Sequence, residues 1–434
     1  MKKIKELFVA LTVRNYRLFF MGQGISLIGT WMQRTTMGWF VYRLTNSAFL
    51  LGVISFLSMI PALFISPFAG AWGDRWNRHH TLIITQSLFM LQAALLALAA
   101  ISGFINADRI WPLMALSLMQ GVIEAVDSPI RQSFVIDLVA KRSLLPNAIA
   151  TNSAMFNSAR LVGPSFGGAM ILLFGEGMCF AINAISYIPV IVMLFMIHLS
   201  YPARKPQSES TFTKIKEGWN YAFGHLPIRF LISNLMVFTL FGMSYSTLIP
   251  VFARDILKGT AGTQGLLLST AGIGALCTSF YLASRKTIKG LPTVMISLGV
   301  AVSLVLIIFS RSSSLPLSLF LMLFIGLGMT MQMASTNTII QSVVADHMRG
   351  RVLSVYTMSF MAASPFGGLL AGTLTRQFGP RNALSICAGV CLIWALFGLR
   401  LIPNIVRDIF RMLIISGNKE IYRPVAVKLN PGEV

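Results

Sequence analysis

The chain has 434 residues, of which 55% are hydrophobic and only 11% charged, with a mean hydropathy of +0.73. Soluble domains carry about 25% charged residues, so a soluble globular protein is excluded. The net charge of +21 raises nucleic acid as a partner, but the basic residues are spread along the chain in a membrane-topology pattern, and no nucleic acid is expected.

In chain order, residues 1–16 are basic and amphipathic, with no small-residue cleavage site before the first long apolar run. They read as a cytoplasmic N-terminus rather than a cleaved leader. Apolar runs then recur at about 17–42, 48–72, 81–102, 110–131, 146–173 and 178–198, and at 228–253, 262–284, 291–310, 315–341, 353–375 and 382–402. Each is about long enough to cross ~30 Å of hydrocarbon as a helix. The expectation is an all-α membrane protein of twelve transmembrane helices.

Lys and Arg orient it. With the N-terminus inside, the inner segments hold Arg14, Arg17, Arg75, Arg78, Lys141, Arg142, Arg204, Lys205, Arg285, Lys286, Arg349 and Arg351. The outer loops keep Arg43, Arg109, Arg254, Lys258, Arg311, Arg376 and Arg381. Both termini are expected in the cytoplasm. A polar linker at 201–227 separates two six-helix halves, 17–200 and 228–402, and residues 403–434 form a cytoplasmic tail. A repeat relates the halves: Gln132-Ser-Phe-Val-Ile-Asp137 matches Gln341-Ser-Val-Val-Ala-Asp346, and Gly163-Pro-Ser-Phe-Gly-Gly168 echoes Ser364-Pro-Phe-Gly-Gly368. Repeats of this kind bind substrate near the midplane, between the halves.

Charges inside the spans mark where work is done, because a charge in lipid is costly and faces the bundle interior or a watery cavity. In span four Gln120, Glu124, Asp127 and Arg131 fall on one helix face. Span one carries Gln23, Ser26, Thr30 and Gln33, then Arg34, which either snorkels to the outer interface or lines the cavity and favours anionic groups. Span five carries Ser153, Asn157 and Arg160 on one stripe. If consecutive spans are neighbours, Arg160 pairs with Glu124 or Asp127 and offsets the desolvation of both. Burial and the arginine then pull the carboxyl pKa in opposite directions, so proton, substrate and arginine compete. The alternatives are a static ion pair, or a local pair of Asp127 with Arg131. The second half offers amides, hydroxyls and Met instead, among them Met329, Gln332, Met333 and Asn337 in span ten. Met gives an adaptable apolar wall, although lipid-facing filler is the commoner role.

Between spans two and three the chain reads Gly70-Ala-Trp-Gly-Asp74-Arg75-Trp-Asn-Arg78-His79. This resembles the G-x-x-x-D-R-x-x-R-[RK] loop of the major facilitator superfamily, which implies a gating latch made of Gly70, Asp74, Arg75 and Arg78. Ordinary positive-inside charge explains the arginines but not the Gly and Asp. The equivalent Ala283-Ser-Arg-Lys286 keeps the bases and lacks the acid, so the latch is one-sided. Gly163-Pro164-x-x-Gly167-Gly168 is similar to the signature of proton-coupled exporters in that superfamily; Ala159 stands where the pattern has a further Gly, and the same glycines also suit close packing. The string from Asp127-Ser-Pro-Ile-Arg-Gln132 through Leu145-Pro-Asn-Ala-Ile-Ala150 to Asn157-x-Ala-Arg160 resembles the enterobactin-exporter-like branch of drug:proton antiporters. The span-four arginine of many such exporters is absent; Ser117 stands there.

Other classes fit less well. No Gly-Lys dipeptide exists to cradle a nucleotide phosphate, and no HExxH occurs, so no enzyme is expected. The four cysteines, Cys179, Cys277, Cys387 and Cys391, lie in apolar stretches without metal spacing; no metal or cofactor is expected. The reading is a secondary transporter, exchanging protons for an amphipathic organic molecule that is siderophore-, macrolide- or drug-like by resemblance alone. The rival is a lysophospholipid flippase, or a uniporter or importer of the same fold. Membrane lipid surrounds it, and monomer is the default for this fold.

Overall fold

A computed structural model describes residues 9–73, 76–139, 142–198, 211–285 and 287–415. Apolar chain in lipid has no water to satisfy its peptide groups, so it folds as helices that pair every peptide internally, and the regular structure described is helical. The first half holds α1 (Arg14–Thr45), α2 (Ala48–Gly73), α3 (Arg78–Ile101), α4 (Trp111–Leu138) and α5 (Leu145–Met196). The second holds α6 (Thr211–Gly224), α7 (Leu226–Val237), α8 (Ser244–Val251), α9 (Ala261–Ser284), α10 (Leu291–Arg311), α11 (Leu315–Val343) and α12 (Asp346–Ile415). A π-helical turn, Phe238–Gly242, joins α7 to α8. Among the described residues nine helical runs are long and apolar enough to cross a membrane. Helix α1 is also long enough, at 32 residues, but it carries the polar stripe.

Local chemistry sets the ends. Asn46 closes α1 in the left-handed region (φ 51°), its N–H bonded to the Tyr42 carbonyl, and the Asn77 side chain caps α3 by accepting from the His79 and His80 N–H groups. The two longest helices each break at a glycine: Gly175 (φ 80°, ψ 171°) in α5 and Gly379 (φ 78°, ψ 163°) in α12. That backbone region is essentially closed to other residues. The breaks fall between the fifth and sixth, and the eleventh and twelfth, predicted spans.

Helix α6 lies inside the predicted linker and docks on α12. A Cβ on Gly218 would stand 2.5 Å from the Arg351 carbonyl oxygen, and Glu217 pairs with Arg351. Helix α12 also runs past the predicted boundary at 402, and Ile405, Ile409 and Leu413 are buried with α6 and α7 residues.

The buried side chains form an asymmetric core. Near the 45, 175, 255 and 379 turns a single cluster joins the halves, from Met32, Phe40 and Leu51 to Ile249, Phe252, Ala271 and Leu384. Toward the opposite end the core divides. Phe19, Leu82, Ile130, Phe134 and Leu194 pack within the first half, and Ile228, Met295, Ile339 and Val352 within the second. The halves are joined at one end and separate at the other.

Glycines make the join. Gly163 sits on Trp31 and Gly167 on Met32 of α1, while Gly168 faces the Ala261 carbonyl of α9 with room for a Cβ at only 2.7 Å. In the second half Gly367 sits on the Leu240 carbonyl of its own half, and Gly368 on Ser55 of α2. The repeat-related pairs therefore do the same two jobs, one contact within the half and one across it.

A charged cleft and the closed end beside it

Helix α4 carries the charged stripe, and Gly121 lets it approach α2: a Cβ there would lie 2.6 Å from the Ser58 carbonyl. Asp127 is almost fully buried, at 1% exposure, and its carboxylate accepts from Thr85 at 2.7 Å, Gln86 at 2.9 Å and Arg131 at 2.9 Å. Arg131 also approaches Glu124, at 3.8 Å, and Glu124 accepts from Arg34 of α1 at 3.2 Å. The four charges form a chain, Asp127, Arg131, Glu124, Arg34. Side-chain exposure rises along it from 1% through 15% and 30% to 39%. A cleft lined by Thr30, Trp31, Arg34, Glu124, Arg131 and Phe156 runs beside the chain and reaches Asp127.

The expected pair of Arg160 with Glu124 or Asp127 does not form. Helix α4 packs against α2 and α3, whereas α5 packs against α1 and α3. Gly163 draws α5 onto Trp31, so α1 lies in the way and its Arg34 supplies the base. Arg34 thus faces the cleft rather than the outer interface. Arg160 stacks over the Trp31 ring at 5.9 Å. Asn157 donates to the Ser153 carbonyl of its own helix and takes no part in the charge chain.

Amides brace the helices. Gln33 donates to Gln92 at 3.1 Å and Gln120 at 3.4 Å, and accepts from Asn183 at 2.7 Å. In the second half Asn234 donates to Gln332, which donates in turn to the Met295 carbonyl. Gln332 and Met329 are therefore core residues, not cavity lining, because the amide finds its partners inside the half and Met329 seats on Gly242. Met333 and Asn337, on the neighbouring face of α11, stay half-buried.

Of the latch, Asp74 and Arg75 lie outside the described residues, as do the side-chain surroundings of Gly70. Arg78 is buried and pairs with Asp137 at 2.9 Å, in the first copy of the repeated Gln-Ser-x-x-x-Asp run. Its repeat counterpart Asp346 pairs locally with Arg349 at 2.5 Å.

The closed end has its own polar seam. Tyr42 donates to Asp255, and Arg254 donates to Asn46 at 2.8 Å and to the Tyr42 carbonyl at 3.3 Å. Gln264 donates to the Thr35 carbonyl at 2.9 Å, and Ser165 to Ser269 at 2.7 Å. Sequence reasoning missed these residues, together with Thr85, Gln86 and Gln92. The amides in the apolar third span were the available signal; Asp255 sits at a span end where a solvated acid is ordinary. Among the described residues no three His, Cys, Asp or Glu side chains converge as a metal site requires.

Residues 7–409 match the family model described as transmembrane secretion effector. The chain is 25% identical to the staphyloferrin A transporter of Staphylococcus aureus, over 85% of this chain and 92% of that protein. It is 26% identical to the multidrug efflux pump Tap of Mycolicibacterium fortuitum, over 86% and 89% of the two chains. Among solved structures it superposes on an inward-facing bacterial homologue of the human lysosomal transporter Spinster, with a TM-score of 0.66, 13% identity and coverage of 94% and 96%. A D-xylose–proton symporter gives 0.68, 15%, and 90% and 96%. At these identities the solved structures show the fold.

Proposed function

The chain belongs to the transmembrane secretion effector family of the major facilitator superfamily, and we propose that this multi-pass membrane transporter exports an amphipathic organic molecule in exchange for protons. The observation that carries the reading is the graded charge chain from buried Asp127 to cleft-facing Glu124 and Arg34. Asp127 has three donors and is held in place. Glu124 has one longer contact to Arg131 and one exposed partner, so a proton reaching it releases Arg34 at little structural cost.

Lys and Arg bias supports an orientation with the separated ends of the halves in the cytoplasm of a bacterial inner membrane. The charge chain in this open-inward arrangement then corresponds to Glu124 ionised and bound to Arg34. Cargo enters the cleft from the cytoplasm, the halves rock, and on the outer side a proton on Glu124 releases Arg34 and resets the cycle. The aromatic Trp31 and Phe156 that line the cleft suit a cargo with an apolar body. Similarity to a siderophore transporter and a multidrug pump supports an organic cargo of that size class.

Proteoliposomes with an imposed pH gradient test this, with siderophores, macrolides and lysolipids as cargo. Cargo-dependent proton movement that disappears in Glu124→Gln is the expected result. Equal cargo movement without a gradient, in wild type and variant, would sink antiport and favour the flippase or uniporter.

A further inference from the structure

The central charges do not balance. Arg34 and Arg131 each have a carboxylate within reach, at 3.2 and 2.9 Å, whereas Arg160 makes no ion pair among the described residues. A guanidinium stays protonated at any accessible pH and cannot escape its desolvation by losing charge. In a membrane span such a cation is paired, hydrated or waiting for a ligand.

Its surroundings point to the last. Trp31 carries Arg160 at 5.9 Å from its ring centre and Arg34 at 5.2 Å, so two guanidiniums share one indole. Arg34 is neutralised by Glu124, whereas Arg160 has only the indole face, and an anion would supply the partner it lacks. Trp31 and Phe156, one turn from Arg160, line the cleft and meet edge to face at 5.8 Å. From the other half, Tyr245 is buried within electrostatic range of Arg160. Arg160 therefore lies toward the seam between the halves.

We infer that Arg160, with Trp31 beneath it, is the anchor for an anionic group of the cargo, a carboxylate or a group of like planar geometry, whose apolar body lies along Trp31 and Phe156. The guanidinium fork matches a carboxylate with two parallel hydrogen bonds, which an ammonium cannot do. This rests on the transport reading above, but the anchor is separate from the Glu124 and Asp127 acids. Anion binding needs neither acid to change partner.

The test uses the full chain in lipid nanodiscs without any gradient. Three dansyl-labelled amphiphiles, identical except for a terminal carboxylate, amide or ammonium, are titrated by fluorescence. The carboxylate should bind wild type at least tenfold more tightly than the amide, with the ammonium weakest. Arg160→Gln should remove the carboxylate preference while leaving amide binding unchanged, and Arg160→Lys should keep part of it. Equal binding of carboxylate and amide to wild type, no binding of any probe, or a preference that survives Arg160→Gln in a normally folded protein would overturn the assignment. Selective binding combined with no proton-coupled transport would sink the antiport reading alone; coupled transport without carboxylate selectivity would sink this one alone.

Discussion

Arg34 of α1 reaches across to Glu124 of α4, 3.2 Å away, and so occupies the place that Arg160 of α5 would take if consecutive helices were neighbours. The contact is the exposed end of a four-charge chain whose buried end is Asp127. Exposure separates the roles. A half-solvated pair contributes little to folding and can open, whereas a buried charge held by three donors cannot be disturbed cheaply.

Glu124→Gln is therefore expected to leave thermal stability within about 1 kcal/mol of wild type. Cargo-driven proton flux in proteoliposomes should fall at least tenfold. A variant that unfolds early instead would mark the pair as structural.

Asp127→Ala is expected to behave in the opposite way. It leaves Arg131, Thr85 and Gln86 facing an empty acceptor, and breaking a buried pair costs about 3–5 kcal/mol. Thermal unfolding in detergent should show the loss, and the double variant Asp127→Asn/Arg131→Gln should recover part of it.

Two closely packed glycines should differ in what they disturb. Gly274 of α9 packs against the Leu323 carbonyl of α11 inside one half, where a Cβ would lie 1.9 Å from the oxygen. Gly274→Ala should cost about 1–3 kcal/mol of stability in every conformation. Gly168 meets Ala261 across the halves, at 2.7 Å. Gly168→Ala should spare melting and widen the distance between spin labels at Ser47 and Lys258.

Tyr42 and Asp255 bridge the closed end. Either Tyr42→Phe or Asp255→Asn removes or weakens a hydrogen bond that exists only while that end is shut. A loss of about 1 kcal/mol corresponds to a shift of roughly fivefold toward the opened population. Labels at Ser47 and Lys258 would report it, and an unchanged distance distribution would show that the glycine contacts alone hold the seam.

The apolar runs and their repeat were enough to predict an all-α membrane fold in two related halves, because an apolar run of that length satisfies its backbone in lipid as a helix; the major facilitator type followed from the resemblance of the Gly70–His79 loop. The local pair of Asp127 with Arg131 was legible too, since a spacing of four places both side chains on one helix face whatever surrounds it. The partner of Glu124 was not. That depends on which helix lies beside α4, and the answer turned on Gly163, whose missing side chain lets α5 settle on Trp31 and leaves Arg34 in the space between. Periodicity along a helix is a property of the chain itself; contacts between helices depend on small residues and crossing geometry many positions apart. Tertiary structure alone decided that the halves join at the Tyr42–Asp255 end and part at the other, because the same helices could meet at either end and the choice lies in contacts between residues far apart in the chain.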